Sequence, residues 1–319
     1  MRIAIVGAGG VGGTLAVRLA GAGHEVWLSA RGDHAAAIRE RGLELRGHDG
    51  VTRAAPGALH LIGPGAAPPA PAELLVMAVK AFDLDEAADG ARALLSPDTA
   101  ILPLQNGIDA AERLRARVPG ARVLGGTARV VANLEAPGVV RADTPLALVL
   151  GALDPADGEA AARAAEALAV PGVKVSRSED IRLPLWTKFI FICGFSGMTT
   201  LCRTSIGPVL ASTESAAMLE AIMREVEALA HARGIPLPPD VTADQLRFGQ
   251  KMDPAAPSSM LGDLQRGKRL ELDHLNGAAV RLAGEAGVPA PCNRAVVAAL
   301  RPWVNGPPRV KADTSPASG

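Results

Sequence analysis

The sequence has no tyrosine, and only five phenylalanines and three tryptophans among 319 residues. This shortage, set beside abundant Ala, Gly and Pro, reflects genomic base composition rather than function. Cysteine is also scarce: Cys193, Cys202 and Cys292 are too few and too scattered for a disulfide framework, and no pair has metal-ligand spacing. No metal site is expected, and the implied compartment is reducing and cytoplasmic. Neither sign of charge prevails, with 33 Lys+Arg against 33 Asp+Glu. A nucleic-acid partner needs a basic excess to neutralise phosphates, so none is expected. Gly7 interrupts the opening strand pattern too early for the apolar stretch of a signal peptide. No run approaches the ~20 apolar residues that cross a membrane. The richest, Phe189–Phe195, is short and reads as buried helix, so no membrane partner is expected.

The length suits two domains of roughly 100–200 residues each. Apolar runs of strand length occur at Ile3–Val6, Glu25–Ser29, Leu74–Val79, Ala100–Leu104, Arg122–Leu124 and Leu146–Leu150. Helical patterns lie between several of them, beginning with Val11–Ala22. Strands alternating with helices predict a parallel, doubly wound sheet. From Ile181 strand signals nearly vanish, and the spacing predicts helices over Leu185–Leu201, Thr213–Arg233, Ser258–Ala283 and Cys292–Val304. The expected fold is α/β, with an N-terminal Rossmann-type doubly wound sheet followed by an all-α C-terminal domain. The expected domains are 1–180 and 181–305, with a Pro-rich, disordered tail over 306–319. Gly63–Pro71 reads as a loop with no assigned role.

Gly7, Ala8, Gly9, Gly10, Val11 and Gly12 match G-x-G-x-x-G directly after a strand and at the opening of a helix. In that setting the first glycine allows the tight turn, the second lets backbone approach a pyrophosphate, and the third lets helix pack on sheet. The helix N-terminus then offers free N–H groups to the phosphates. The bland alternative is a glycine turn needed only for packing. The second strand ends in Ser29-Ala30-Arg31, where an NAD-binding chain would carry an acid for the ribose hydroxyl. Arg31 suits a 2′-phosphate instead, which favours NADP(H), unless it is merely a solvated arginine.

Four segments then resemble the ketopantoate reductase (2-dehydropantoate 2-reductase) family: IAIVGAGGVGG with Arg31 beyond it, VMAVKAFD with Lys80, LPLQNGID with Asn106, and the pair LWTKF with Lys188 and SSMLGDLQRGKRLELDHLNG with Ser259 and Glu271. The resemblance runs from Met1 to about Val304. It implies a Rossmann domain, a helical domain, and hydride transfer from NADPH to the carbonyl carbon of a small-molecule 2-oxo acid. It implies Lys188 as general acid and Glu271 as the group that orients Lys188 or the substrate and cofactor hydroxyls; the spacing puts Glu271 in the same late helix as Ser259. It also implies Lys80 and Asn106 at the cofactor, and Ser259, Asn106 and Ser196 at the substrate. On the residues alone Lys188 reads as a snorkelling lysine, and Glu271 as a solvated i,i+3 partner of Lys268. Ser259 reads as part of a helix N-cap with Ser258, Asn106-Gly107 as a turn pair, and Lys80 as a surface lysine.

One stretch departs from the family. At the fourth and eighth positions after its catalytic lysine the family usually has asparagines, which share a helix face with the lysine. Here these are Ile192 and Ser196. Isoleucine cannot hydrogen-bond a hydroxyl, so the substrate is either ketopantoate held by other groups or a more apolar branched or aromatic 2-oxo acid. A non-catalytic NADP-binding protein is the third reading, though a sensor has no use for Lys188 and Glu271. For assembly the base rate alone favours a homodimer.

Overall fold

The computed structural model describes residues 1–63 and 70–308. Most of the Pro/Gly loop and most of the expected tail lie outside the described residues. The chain divides into two compact units, Met1–Trp186 and Thr187 onward. The division falls inside a helix, where no linker composition marks it.

The first unit begins with β1 (Arg2–Val6), α1 (Gly10–Gly21), β2 (Glu25–Ser29) and α2 (Gly32–Arg41). It continues through β3 (Leu43–Gly47), β4 (Gly50–Ala54), β5 (His60–Ile62), β6 (Leu74–Met77), α3 (Leu84–Gly90), β7 (Ala100–Pro103) and α4 (Ala110–Arg117). It closes with β8 (Arg122–Val123), β9 (Gly125–Arg129), β10 (Ala132–Ala136), β11 (Val139–Ala142), β12 (Leu146–Gly151), α5 (Gly158–Leu168) and β13 (Val173–Arg177).

Six strands make one parallel sheet in the order β5-β2-β1-β6-β7-β8, the doubly wound order that reverses at β1. Its strands are apolar at successive positions because both faces are covered. Ile3, Ile5, Val26, Leu28, Leu74 and Val76 pack into one core with α1, while Ala4, Val6, Trp27, Leu75 and Met77 pack into another with α3. Two smaller sheets, β10-β11-β3-β4 and β13-β12-β9, were not legible as such. Leu146–Leu150 is a strand as expected, but it belongs to the three-stranded sheet, not the main one. β4 and β10 are largely exposed and mix polar with apolar residues, so they lack the apolar run that marks the central strands. The four-stranded sheet packs on α1 and leaves that helix buried from Gly12 to Val17.

The second unit consists of helices among its described residues. It takes in most of α6 (Arg182–Cys202), then α7 (Ile206–Ala211), α8 (Thr213–Ala232), α9 (Val241–Gln250), α10 (Ser259–Gln265), α11 (Asn276–Glu285) and α12 (Pro291–Leu300). α6 meets the length and composition of a membrane span, which the shorter apolar run did not suggest, yet 67% of that window is buried inside the protein, as in a core helix. It ends at Arg203, whose φ of 55° is the left-handed value usually left to glycine. Thr204 N–H reaches back to the Thr199 carbonyl, and the Arg203 guanidinium lies 4.5 Å from the Trp303 ring centre. The cation–π contact offsets part of that strain.

The single helix expected over Ser258–Ala283 is two helices with a connection. Gly267, at φ 63°, stops α10: its N–H meets the Leu264 carbonyl while Lys268 N–H meets that of Asp263. This paired C-terminal closure needs a left-handed residue, which glycine supplies without a Cβ clash. Glu271 therefore does not share a helix with Ser259. It precedes a 3-10 turn at Leu272–His274.

Candidate active site

In the first unit, register brings the cofactor candidates to one edge. Val6 pairs with Ser29 and with Met77, and Met77 pairs with Pro103. The segments just beyond these residues hold Gly7–Gly12, Arg31, Lys80 and Asn106, and all leave the carboxyl edge of the parallel sheet. That edge, where strand order reverses, is where open α/β sheets bind ligands.

The glycines there do distinct jobs. Gly7 has φ 108°, and a Cβ on it would lie 2.8 Å from the Ala78 carbonyl carbon. A Cβ on Gly12 would lie 1.9 Å from the Gly7 carbonyl oxygen, and one on Gly10 would lie 2.5 Å from that of Ala132. These three lock the turn onto β6 and β10. Gly9 differs, since its missing Cβ leaves open space with nothing within 4 Å. α1 starts from Gly9 with no side-chain cap and no acid in its first turn, which leaves its amide N–H groups to an anion. The cradle thus has the shape and polarity for a dinucleotide pyrophosphate.

Arg31 sits at the N-cap of α2 and is exposed. Its guanidinium stands 3.7 Å from Glu86, itself exposed, so the pair is loose and open to exchange. Lys80 is half-buried and starts the 3-10 turn Ala81–Asp83 after β6. Asn106 is half-buried beyond β7, and Gly107 follows it at φ 104°. Gln105, quoted within the LPLQNGID segment but given no role, is buried, and its amide donates to the carbonyls of Met77 at 2.9 Å and Val79 at 3.1 Å. It thereby ties the Asn106 turn to the strand end that carries Lys80. His34 was missed as well, because no local pattern points to it: its ring bonds the Ala8 carbonyl and the Gly138 amide.

In the second unit, α6 carries Lys188, Ile192 and Ser196 at i, i+4 and i+8. Lys188 is half-buried beside Phe189 and Ile190, which are essentially inaccessible. Ile192 is 9% exposed and Ser196 1% exposed, and the Ser196 Oγ has no hydrogen-bond partner. Phe191 stacks on Phe195 at 5.2 Å and meets Phe248 edge-on at 5.0 Å. Glu271 is 3% exposed, so it is not the solvated charge that its basic neighbours in sequence suggest.

The two serines divide the roles read for the pair. Ser258 is buried, caps α10 by accepting from Leu261 N–H, and shares a hydrogen bond with the Thr199 hydroxyl of α6 at 2.7 Å. Ser259, in the first turn, is exposed. A network absent from the sequence reading lies behind α6. Asn276 donates to the Cys193 carbonyl and to Asn293 Oδ1, and Asn293 donates to Glu225, which also caps α12 through the amides of Cys292 and Asn293. Asparagines recurring singly have no sequence spacing that marks such a network.

The family description Ketopantoate reductase PanE/ApbA matches residues 3–155, and its C-terminal counterpart matches 180–303. The chain belongs to the ketopantoate reductase family. It is accordingly an oxidoreductase that uses NADP(H) to reduce a 2-oxo acid. It is 29% identical to a 2-dehydropantoate 2-reductase of Mesorhizobium japonicum, over 94% of this chain and 97% of that one. It is 33% identical to a PanE/ApbA family ketopantoate reductase of known structure from Ralstonia eutropha JMP134, with a TM-score of 0.84 over 95% of this chain and 98% of that one. A D-mandelate dehydrogenase solved with NADH is 25% identical, with a TM-score of 0.83 over 94% of this chain and 98% of that one. Ketopantoate reductases and a dehydrogenase of an aromatic hydroxy acid thus share this architecture.

Proposed function

We propose that this member of the ketopantoate reductase family converts 2-dehydropantoate to pantoate with NADPH, as a cytoplasmic enzyme of pantothenate biosynthesis. The observation that carries the mechanism is Lys188. Past its first residue, α6 has no other charged side chain, and Lys188 is only half-exposed. A half-buried lysine beside the buried Phe189 and Ile190, on a stretch of helix with no other charge, is a candidate to stabilise and protonate a developing alkoxide.

Bound in the glycine cradle, NADPH supplies hydride to the substrate's carbonyl carbon. Gly7–Gly12 offer backbone N–H groups to the pyrophosphate. Arg31 exchanges Glu86 for the 2′-phosphate, and Lys80 and Asn106 hold the cofactor from the next two strand ends. Lys188 stabilises the alkoxide that forms on the substrate and donates a proton to its oxygen. Glu271, a carboxylate kept from water, orients the lysine or the hydroxyls. Ser259, Asn106 and Ser196 are assigned to the substrate's polar groups.

A second reading has one specific observation in its favour. Ile192, at a position that is usually asparagine in the family, lies on the helix that also carries the Phe191–Phe195 stack. An apolar or aromatic 2-oxo acid suits such a face, as the mandelate dehydrogenase likeness suggests. NADPH consumption against a panel of 2-oxo acids decides between the two. Fastest turnover of ketopantoate supports the first reading, and fastest turnover of a phenyl or branched-chain acid the second. Lys188→Ala is expected to lower kcat by about 10²–10⁴ while NADPH binding stays intact. Undiminished turnover in that variant would remove the proposed acid, and no turnover of any 2-oxo acid by the parent enzyme would remove the reading itself.

A further inference from the structure

His34 lies in α2, three residues after Arg31, and is half-buried. Gly138, at φ 81° in the turn between β10 and β11, donates its N–H to His34 Nδ1 at 2.9 Å. A ring nitrogen that accepts carries no proton, so the neutral ring bears its hydrogen on Nε2. That nitrogen is 2.9 Å from the Ala8 carbonyl and donates to it. The imidazole therefore joins three segments: the glycine loop, the helix that begins at Arg31, and a hairpin of the second sheet.

The Ala8 carbonyl is a consequential place to hold. In a planar trans peptide the C=O and the following N–H point in opposite directions. Fixing the Ala8 oxygen on His34 aims the Gly9 N–H away from the ring. Gly9 is also the loop glycine with open space beside it. With glycines at 7, 9 and 10 this stretch has little intrinsic stiffness, and a flipped Ala8–Gly9 peptide would present a carbonyl where a phosphate needs a donor. The hairpin end of the clamp is itself fixed, since the Gly138 carbonyl accepts from Glu44 N–H at 2.9 Å.

We infer that His34 is a positioning residue for the dinucleotide: it pre-sets the glycine loop with its donors outward and holds it in register with Arg31. The inference rests on the cofactor reading of that loop. Because it acts at the pyrophosphate end, it bears on NADPH and NADH alike, whereas Arg31 bears on NADPH.

The clamp depends on the neutral ring. Protonation would place a second donor on Nδ1 against the Gly138 N–H, and burial already holds the His34 pKa below its ordinary 6.5. The charged side chains on the elements around it are Arg31 at the cap and Asp33, Arg39, Glu40 and Arg41 on its own helix, Glu135 and Arg141 on the hairpin, and Glu44 and Arg46 on β3; the glycine loop has none. Arg46 pairs with Glu44 and with Glu135, and Arg141 with Glu135, so these charges largely answer one another.

The test is direct binding of NADPH and NADH, by calorimetry, to the full-length parent, His34→Ala and His34→Gln, with melting temperature recorded for each. Glutamine's terminal amide can take the Nε2 role without titrating. His34→Ala is expected to raise the Kd of both dinucleotides about five- to tenfold near pH 7.5, and His34→Gln to recover most of the loss. On acidification from about pH 7 to about pH 5 the parent should lose affinity more steeply than His34→Gln for the same ligand, since only the parent has an imidazole to protonate. Unchanged Kd in a folded His34→Ala overturns the inference, even if its melting temperature falls. So does a pH profile shared by parent and His34→Gln. If the parent binds neither dinucleotide, the cofactor reading fails instead.

Discussion

The two units hold their candidate residues by different means. In the first, backbone does most of the work: strand register sets Gly7, Arg31, Lys80 and Asn106 at one sheet edge, and absent side chains shape the cradle. In the second, side chains far apart in sequence do it. Asn276 reaches the Cys193 carbonyl across 83 residues, and Thr199 reaches Ser258 across 59. A cofactor shared across a family suits a rigid backbone frame, which changes little when surface residues drift. Candidate residues carried on separate helices can be exchanged one at a time, and Ile192 and Ser196 are where this chain departs from the asparagines usual in the family.

Three substitutions would break or sharpen that contrast. The largest effect is expected from Gly12→Ala, whose Cβ would meet the Gly7 oxygen at 1.9 Å and push α1 off β1. NADPH binding should fall by more than about a hundredfold and stability by about 3 kcal/mol, read by calorimetry and denaturant melts. Retained binding would show that the frame is softer than its contacts imply. Next is Asn276→Ala, which strips a partner from the buried Cys193 carbonyl and from Asn293. A loss of about 3 kcal/mol, or roughly 10 °C in melting temperature, is expected, with NADPH affinity unchanged if the two units are as independent as the contrast holds. A parallel loss of NADPH binding would erase the distinction. The smallest effect belongs to Arg31→Ala, whose only ion-pair partner among the described residues is the loosely held Glu86. NADPH should weaken about tenfold and NADH less than about twofold. Equal weakening of both would reassign that arginine.

The first unit was the more legible in sequence for the same reason. Its central strands are continuous apolar runs because the sheet is covered on both faces, and the glycine motif is a local requirement written in adjacent residues. The smaller sheets escaped because β4 and β10 face solvent and mix polar with apolar residues. In the second unit periodicity marked α6, α8 and α12, whereas α7 and α9 were not legible and Gly267 divides the helix expected over Ser258–Ala283. A single glycine is compatible with a helical pattern, and only the left-handed turn it adopts shows the break.

By itself the sequence determined the fold class, the dinucleotide loop, and the residue types offered at each strand end and along α6, because each depends on neighbours within a few positions. Tertiary structure decided the rest. It buried Glu271 although its sequence neighbours are basic, made Ser258 rather than Ser259 the cap, and put His34 between the Ala8 carbonyl and a hairpin more than a hundred residues away. Burial and hydrogen-bond pairing are set by what the folded chain brings near, and no spacing in the sequence encodes that for a single histidine or glutamate.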